Sequence, residues 1–280
     1  MKKAYLSLLV LLAFTLLSGV QNDWDKMELK GMVESIITDA EVFVFDQQGY
    51  IIRGWRGDEN YASADYGYVY DDNHNLLAHE ITIDNGFVTS GDYYEYNDGG
   101  QLIKQKEYSL TNTSYYYYTY NASGQLSRKQ AHDFYDKPNT ATDYIYDATG
   151  NKIRENYFDK DGKLTHYTQY IYDKAGNNTE KATYEPNKKL IRVFKYKYNT
   201  KNQISEEQII QEKTTTYKSQ NSYDEHGNIS ERKISDFANN SSFTLVYRYT
   251  NDDHGNWTVR VTERDGKQSS TESRYIVYYR

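Results

Sequence analysis

The side chains that could do chemistry in this sequence are its carboxylates and its histidines. Asp and Glu number 40 in 280 residues, and His 6. Two carboxylates at a suitable separation would suffice for glycoside hydrolysis, one as acid and one as base or nucleophile. Linear spacing singles out no such pair, because the recurring Asp positions belong to turns. A His-Glu-x-x-His pair, a phosphate-cradling Gly loop and a Gly-x-Ser-x-Gly elbow are all missing from the sequence. Cys is absent too, which removes thiol nucleophiles, thiolate metal ligands and disulfides. His74, His226 and His254 fall in turns, while His79, His132 and His166 have no second ligand at metal spacing. Asp159-Lys160-Asp161-Gly162 and Asp252-Asp253 begin like calcium loops but lack the further oxygen ligands and closing Glu. The expectation is a protein that is not an enzyme, with no catalytic residue, no metal and no cofactor.

Aromatic residues are the stronger lead. Tyr alone accounts for 32 residues. Trp55, in Arg53-Gly54-Trp55-Arg56-Gly57, fits no repeated position, and Tyr115 and Tyr117 alternate with Tyr116, Tyr118 and Tyr120. On a strand, alternate residues face opposite sides, so Tyr115 and Tyr117 belong on the wet face. Two roles are open for Trp55, Tyr115 and Tyr117: an exposed aromatic surface that stacks a sugar or peptide, or cross-strand ladders that stabilise the sheet.

The elements that hold these residues come from a repeat of about 26 residues. One slot holds Gly49, His74, Gly100, Gly124, Gly150, Gly176, Asn202, Gly227 and Gly255; three residues earlier stands Asp or Asn every time. Asp147 with Gly150, Asp173 with Gly176, and Asp224 with Gly227 are typical pairs. Asp or Asn opens a turn by accepting from backbone N–H groups, and the later slot needs φ > 0. His and Asn are among the non-Gly residues that tolerate that conformation. Before each turn stand aromatic residues two apart, such as Tyr144/Tyr146 and Tyr170/Tyr172, on one face of a strand. Asn or Gln follows the turn in eight units. Asp159-Lys160-Asp161-Gly162, Asp84-Asn85-Gly86 and Arg264-Asp265-Gly266 signal hairpins at the other end. The fold expected is all-β: a repetitive antiparallel meander of β-hairpins, twisted and curled around its Tyr face, with about nine units and a closing strand over Arg274–Tyr279.

The frame Tyr-x-Tyr-Asp-x-x-Gly-Asn resembles the YD repeat of bacterial Rhs-type cell-surface proteins, over residues 41–280. The resemblance implies a sheet that winds into a shell in the large members. Those members carry Arg after the Gly and end in an Asp-Pro-x-Gly core with a toxin tip. Here Asn or Gln follows the Gly, and neither Pro138 nor Pro186 follows Asp. The chain is more similar to small secreted YD-repeat proteins, which are described as sugar-binding.

Residues 1–20 read as a secretory signal peptide: Met1-Lys2-Lys3, an uncharged Leu-rich run to Leu17, and small residues before a cleavage point near Gly19 or Val20. Residues 21–40 make an N-terminal segment with a first strand. The mature protein is expected in the periplasm or at the cell surface, without a membrane span, since alternating charged positions do not suit a lipid-facing barrel wall. A net charge of −7 argues against nucleic acid as a partner. The hydrophobic fraction of 38% and mean hydropathy of −0.93 are low for a folded domain, but Tyr rings supply apolar area that such scales undercount. The function expected is a secreted binding or scaffold protein of the envelope that engages a glycan or an envelope protein. The alternative is a structural, protein-interaction or immunity-type module with no small ligand.

Overall fold

The computed structural model describes residues 22–58, 61–83 and 86–280. The signal peptide over residues 1–20 and the Asp84-Asn85 part of one hairpin signal lie outside the described residues. One helical turn, α1 (Asp23–Lys26), precedes twenty strands. These are β1 (Val33–Thr38), β2 (Glu41–Phe45), β3 (Ile51–Asp58), β4 (Tyr61–Tyr70), β5 (Leu76–Ile83), β6 (Phe87–Tyr96), β7 (Leu102–Ser109), β8 (Asn112–Tyr120), β9 (Leu126–His132), β10 (Pro138–Tyr146), β11 (Lys152–Phe158), β12 (Leu164–Tyr172), β13 (Asn178–Tyr184), β14 (Leu190–Tyr198), β15 (Ile204–Gln211), β16 (Thr214–Tyr223), β17 (Ile229–Asp236), β18 (Ser241–Asn251), β19 (Trp257–Arg264) and β20 (Lys267–Tyr278).

Each strand pairs antiparallel with the next, and β1 pairs with both β2 and β20. Ile36 stands opposite Phe43 on one side and opposite Ile276 on the other. The sheet is therefore a closed barrel, which corrects the expectation of an open, curled meander. The nine repeated turns join β2 to β3 and so on through β18 to β19. The closing strand is β20, and β1 from the N-terminal segment fills the last gap. Strand twist brings the two ends of a long sheet round, and closure leaves no free edge to pair with another chain.

The repeated turn is built by its first residue. Asp147 Oδ1 accepts from the Thr149 and Asn151 amides, both at 2.9 Å, and the Gly150 amide donates to the Asp147 carbonyl at 3.1 Å. Gly150 holds φ +92°, and the two exceptions, His74 and Asn202, hold φ +60° and +59°. One residue later the register shifts: Ile145 faces Arg154 but Tyr146 faces Lys152, so Ile153 is bulged out. The same shift recurs in all nine hairpins, for example between Glu95 and Tyr96 and between Lys197 and Tyr198. Such bulges sharpen local twist.

Between hairpins, pairing stops short of these turns. The β9–β10 register ends with Arg128 opposite Asp143, so Tyr144 to Tyr146 run on without a backbone partner on that side. The second aromatic slot bridges the gap. Tyr146 Oη donates to the Leu126 carbonyl at 2.9 Å. Tyr70, Tyr96, Tyr120, Tyr172, Tyr198 and Tyr223 make the equivalent bond to Ile51, Leu76, Leu102, Lys152, Asn178 and Ile204, and in the last unit, where the second slot is Asn251, Tyr249 of the first slot bonds Ile229. A carbonyl left without a partner by the splay is thus satisfied by a side chain.

The slot rings lie on the inner face. Tyr144, Tyr146, Tyr170 and Tyr172 are half-buried, while Ile145 and Ile171 between them are exposed. Burial pushes the Tyr144 hydroxyl up to about 12. A cluster of buried apolar residues, Leu29, Val33, Ile36, Phe45 and Ile276, sits at the seam where β1 meets β2 and β20. The segment around α1 covers it: Trp24 packs on Phe45 and its Nε1 donates to the Val33 carbonyl at 2.9 Å.

Candidate binding surface

Tyr115 and Tyr117 are on the outer face of β8. Their register partners on β7 are Lys106 and Lys104. Lys104 Nζ sits 5.8 and 5.7 Å from the Tyr115 and Tyr117 ring centres, and Lys106 Nζ sits 5.3 and 5.7 Å from those of Tyr93 and Tyr108. Four tyrosines and two lysines thus form one ridge across β6, β7 and β8. Two of its hydroxyls are pinned: Tyr93 donates to Glu80 at 2.8 Å and Tyr117 to Asp136 at 2.9 Å. Burial, then the Glu80 contact, pushes the Tyr93 hydroxyl up to about 12.

The ridge continues into the β9–β10 turn. Asp133 opens this turn by accepting from the Tyr135 and Lys137 amides, and Asp136 takes the left-handed position at φ +56°. The central residues, Phe134 and Tyr135, are forced outward and are 61% and 76% exposed. Their rings meet edge to face at 5.3 Å. Asp136 also contacts His132, whose ring lies 4.5 Å from that of Tyr117, so turn and ridge are tied together. Leu110 in the neighbouring β7–β8 turn and Phe87 at the start of β6 are exposed at the same end of the barrel. Sequence spacing pointed to neither Phe134 nor Tyr135. The signal was present: Asp133 followed four residues later by Lys137 frames a turn of the repeat's own kind, with two aromatics at positions that cannot pack inward.

Trp55 stands apart. It is on the outer face of β3, opposite Val42 and Asp65, with the Arg53 guanidinium 5.0 Å from its ring centre. Five strand spacings separate β3 from β8, on the order of 24 Å along the sheet. The structure therefore brings Tyr115 and Tyr117 together but not Trp55 with them. Asp147, Gly150, Asp173, Gly176, Asp224 and Gly227 are all at repeated turns, at the opposite end from Phe134.

The inner face holds one pair of facing carboxylates that sequence spacing could not reveal. Asp92 on β6 is opposite Glu107 on β7. Gln105 Nε2 donates to both, at 3.3 and 3.2 Å, and Tyr116 Oη donates to Glu107 at 3.0 Å. His79 Nδ1 lies 3.8 Å from Asp92. Among the described residues no three His, Asp or Glu side chains group as a metal site would require.

No family model matches the chain, and no curated protein matches it. Solved structures do. One is a crystal structure of TcdB2-TccC3-TEV, at 13% identity and a TM-score of 0.36, covering 85% of this chain and 16% of that one. Another is a porin-like protein from Bacteroides uniformis, at 11% identity and a TM-score of 0.41, covering 89% of this chain and 99% of that one. A porin-like protein from Bacteroides vulgatus matches at 9% identity and a TM-score of 0.29, covering 88% and 98%. This chain spans about a sixth of the length of the first. Likenesses of this size carry no statement about what the chain binds.

Proposed function

We propose that the protein is a secreted, non-enzymatic binding module of the bacterial envelope, of the YD-repeat kind, and that its ligand is a glycan held on the Tyr93–Tyr117 ridge. The observation that carries this reading is the ridge itself. Four outer-face tyrosines, two of them (Tyr93 and Tyr117) with pinned hydroxyls, alternate with two lysines and run into two exposed aromatics on a turn. Rings fixed in this way offer flat apolar faces at little cost in side-chain entropy, and the lysines supply donors for sugar hydroxyls or acidic groups.

Among the described residues no helix is long and apolar enough to cross a membrane, which leaves open a crossing by strands. The outer face bears Lys195, Lys197, Lys218 and Lys233 with Glu180, Glu206, Glu231 and Glu263. Lysine near the middle of a lipid-facing barrel wall costs about 2–4 kcal/mol, so this face supports a barrel in water, in the periplasm or outside the cell.

Glycan-array binding by the wild type, Tyr117→Ala and Tyr135→Ala tests the proposal. Selective binding to a sugar class that both variants lose is expected. A wild type that binds no glycan, or variants that bind as well as it does, would remove the reading. A second reading, a protein partner with no small ligand, is favoured by the exposed Phe87, Leu110, Phe134 and Tyr135 at one end of the barrel. Site-specific cross-linking from position 135 in intact envelopes distinguishes the two.

A further inference from the structure

At the end of the barrel that carries the repeated turns, the Arg274 guanidinium forms no close ion pair with a carboxylate of the described residues. In the last strand pair the inner-face position that would match a bridging Tyr is Ile276, which has no hydroxyl and belongs to the seam core. Arg274 takes over: its Nε donates to the Trp257 carbonyl at 2.6 Å, and its guanidinium carbon lies 3.9 Å from the Trp257 ring centre. This fixes the head group by one edge and one face. Its two Nη groups donate to none of the described residues; Asp252 acts on it through charge without a close ion pair. Burial draws the Arg274 guanidinium down to about 10.

A cavity of about 360 Å³ opens beside this head group. Its charged and titratable lining consists of Arg274, Lys30, His226 and Glu28. Lys30 Nζ is held by the Gly255 carbonyl at 3.3 Å, and Asn256 spends its amide on Lys30 and Tyr278. Two permanent cations and one carboxylate line it, and the Asp252 carboxylate, which accepts from Tyr278, adds a second negative charge near Arg274. The volume lies at the low end of the range for small-molecule sites, enough for a single sugar acid or a short organic acid.

We propose that this cavity binds a carboxylate, received by the two Nη groups of Arg274 in a two-pronged contact, with Lys30 adding charge from the rim. The fork of a guanidinium matches the two oxygens of a carboxylate. The Trp257 ring keeps its plane aligned. The site is separate from the Tyr93–Tyr117 ridge and stands whether or not that ridge binds a glycan.

The test is a titration of the isotopically labelled protein with sodium glucuronate, sodium acetate and glucose, followed by NMR at the Trp257 indole and Asn256 amide signals. Saturable shifts with glucuronate and acetate, and none with glucose, are expected. Arg274→Lys should weaken binding at least tenfold, because it keeps the charge but loses the fork, and Lys30→Gln should weaken it a few-fold. Arg274 also holds the Trp257 carbonyl through Nε, so Arg274→Lys can disturb the seam; the wild-type titration and Lys30→Gln decide in that case. Wild-type signals that do not move, an equal response to glucose, or an Arg274→Lys that binds like the wild type would each overturn the proposal.

Discussion

The Tyr146 hydroxyl donates to the Leu126 carbonyl at 2.9 Å across a stretch where β9 and β10 have no backbone pairing. The aromatic slots therefore do two jobs: the ring fills the inner face and the hydroxyl closes a gap between hairpins. Tyr146→Phe isolates the second job and should cost about 1 kcal/mol, since a carbonyl loses its donor. Tyr146→Ala removes both and should cost about 3 kcal/mol, as for large aromatic truncations. Tyr117→Ala, on the outer ridge, should cost less than either if its ring serves binding. Thermal unfolding of the three variants checks the order. A stable Tyr146→Ala beside a crippled Tyr117→Ala would mean the two faces are assigned the wrong way round.

The turn slot makes a conformational prediction. Gly150 holds φ +92° and Asn202 holds +59°. Gly150→Val forces a β-branched residue into the left-handed region, whereas Asn202→Gly relaxes there. The two should differ by at least about 1 kcal/mol in unfolding free energy. Equal melting temperatures would exclude a conformational role for the slot.

A pairing rule links the first turn residue to the one after the Gly slot. Where the first is Asp, its carboxylate accepts from an Asn side-chain amide in four of six turns, Asp71–Asn75, Asp147–Asn151, Asp173–Asn177 and Asp224–Asn228; Asp46 has Tyr50 instead, and Asn256 turns its amide to Lys30 and Tyr278. Where it is Asn, a Gln stands opposite: Asn97 donates to Gln101, Asn121 to Gln125 and Asn199 to Gln203. Each of those Gln residues then reaches the carbonyl in the Gly slot of the next turn, as Gln125 does with Gly150 at 3.2 Å. An Asn has one carbon too few to do both. Gln125→Asn should therefore cost about 1 kcal/mol, and adding Asn121→Asp should recover part of that loss. A double-mutant cycle with no coupling between positions 121 and 125 would dismiss the rule.

Much of this was legible in the chain. The nine Asp/Asn-to-Gly frames marked the hairpins, and the spacing of Tyr144 and Tyr146 put both rings on one face. The Asn97–Gln101 and Asp147–Asn151 pairings were also visible, but their sense needs geometry, because only the structure brings Gln125 to Gly150. Closure was not legible. It depends on Ile36 of β1 facing both Phe43 and Ile276, a contact between the two ends of the chain that no local pattern encodes. Of the three aromatic candidates, Tyr115 and Tyr117 share a ridge because they share a strand. Trp55 is far from them because strand order, not residue type, sets distance.

Glu206 gives a pH signature. It lies on the outer face with its side chain 10% exposed, and Lys197 and Lys218 both approach it at 2.9 Å. Hydrogen bonds from Lys197 and then Lys218 hold its carboxyl down to about 2. The folded value is below the ordinary one, so the folded state binds the proton less readily than the unfolded state. Glu206 then contributes stability fully above the ordinary Glu range, and that contribution is lost as pH falls toward 2. The melting temperature of the wild type should drop more steeply over that window than that of Glu206→Gln. Parallel curves would show that the Lys–Glu–Lys contact adds nothing.

Trp24 makes the last prediction, because it sits where the ring of strands is closed. Its indole donates to Val33 of β1 and packs on Phe45 of β2. It also lies against the first repeated turn, where a Cβ added at Gly49 would come within 2.5 Å of the indole. The same N-terminal segment reaches the last repeated turn through Lys30, whose amide donates to Asn256 at 2.9 Å. One short segment thus fastens the first hairpin to the last, across the gap that β1 fills. Trp24→Ala should cost about 3–5 kcal/mol, the range for deleting a large packed aromatic, and the damage should be local before it is global. Hydrogen exchange should accelerate first in β1 and β20, because losing the staple lets the seam open while β6 to β15 stay paired. Uniform acceleration across all strands would mean that the barrel opens as one unit and that Trp24 is an ordinary core residue rather than a clasp.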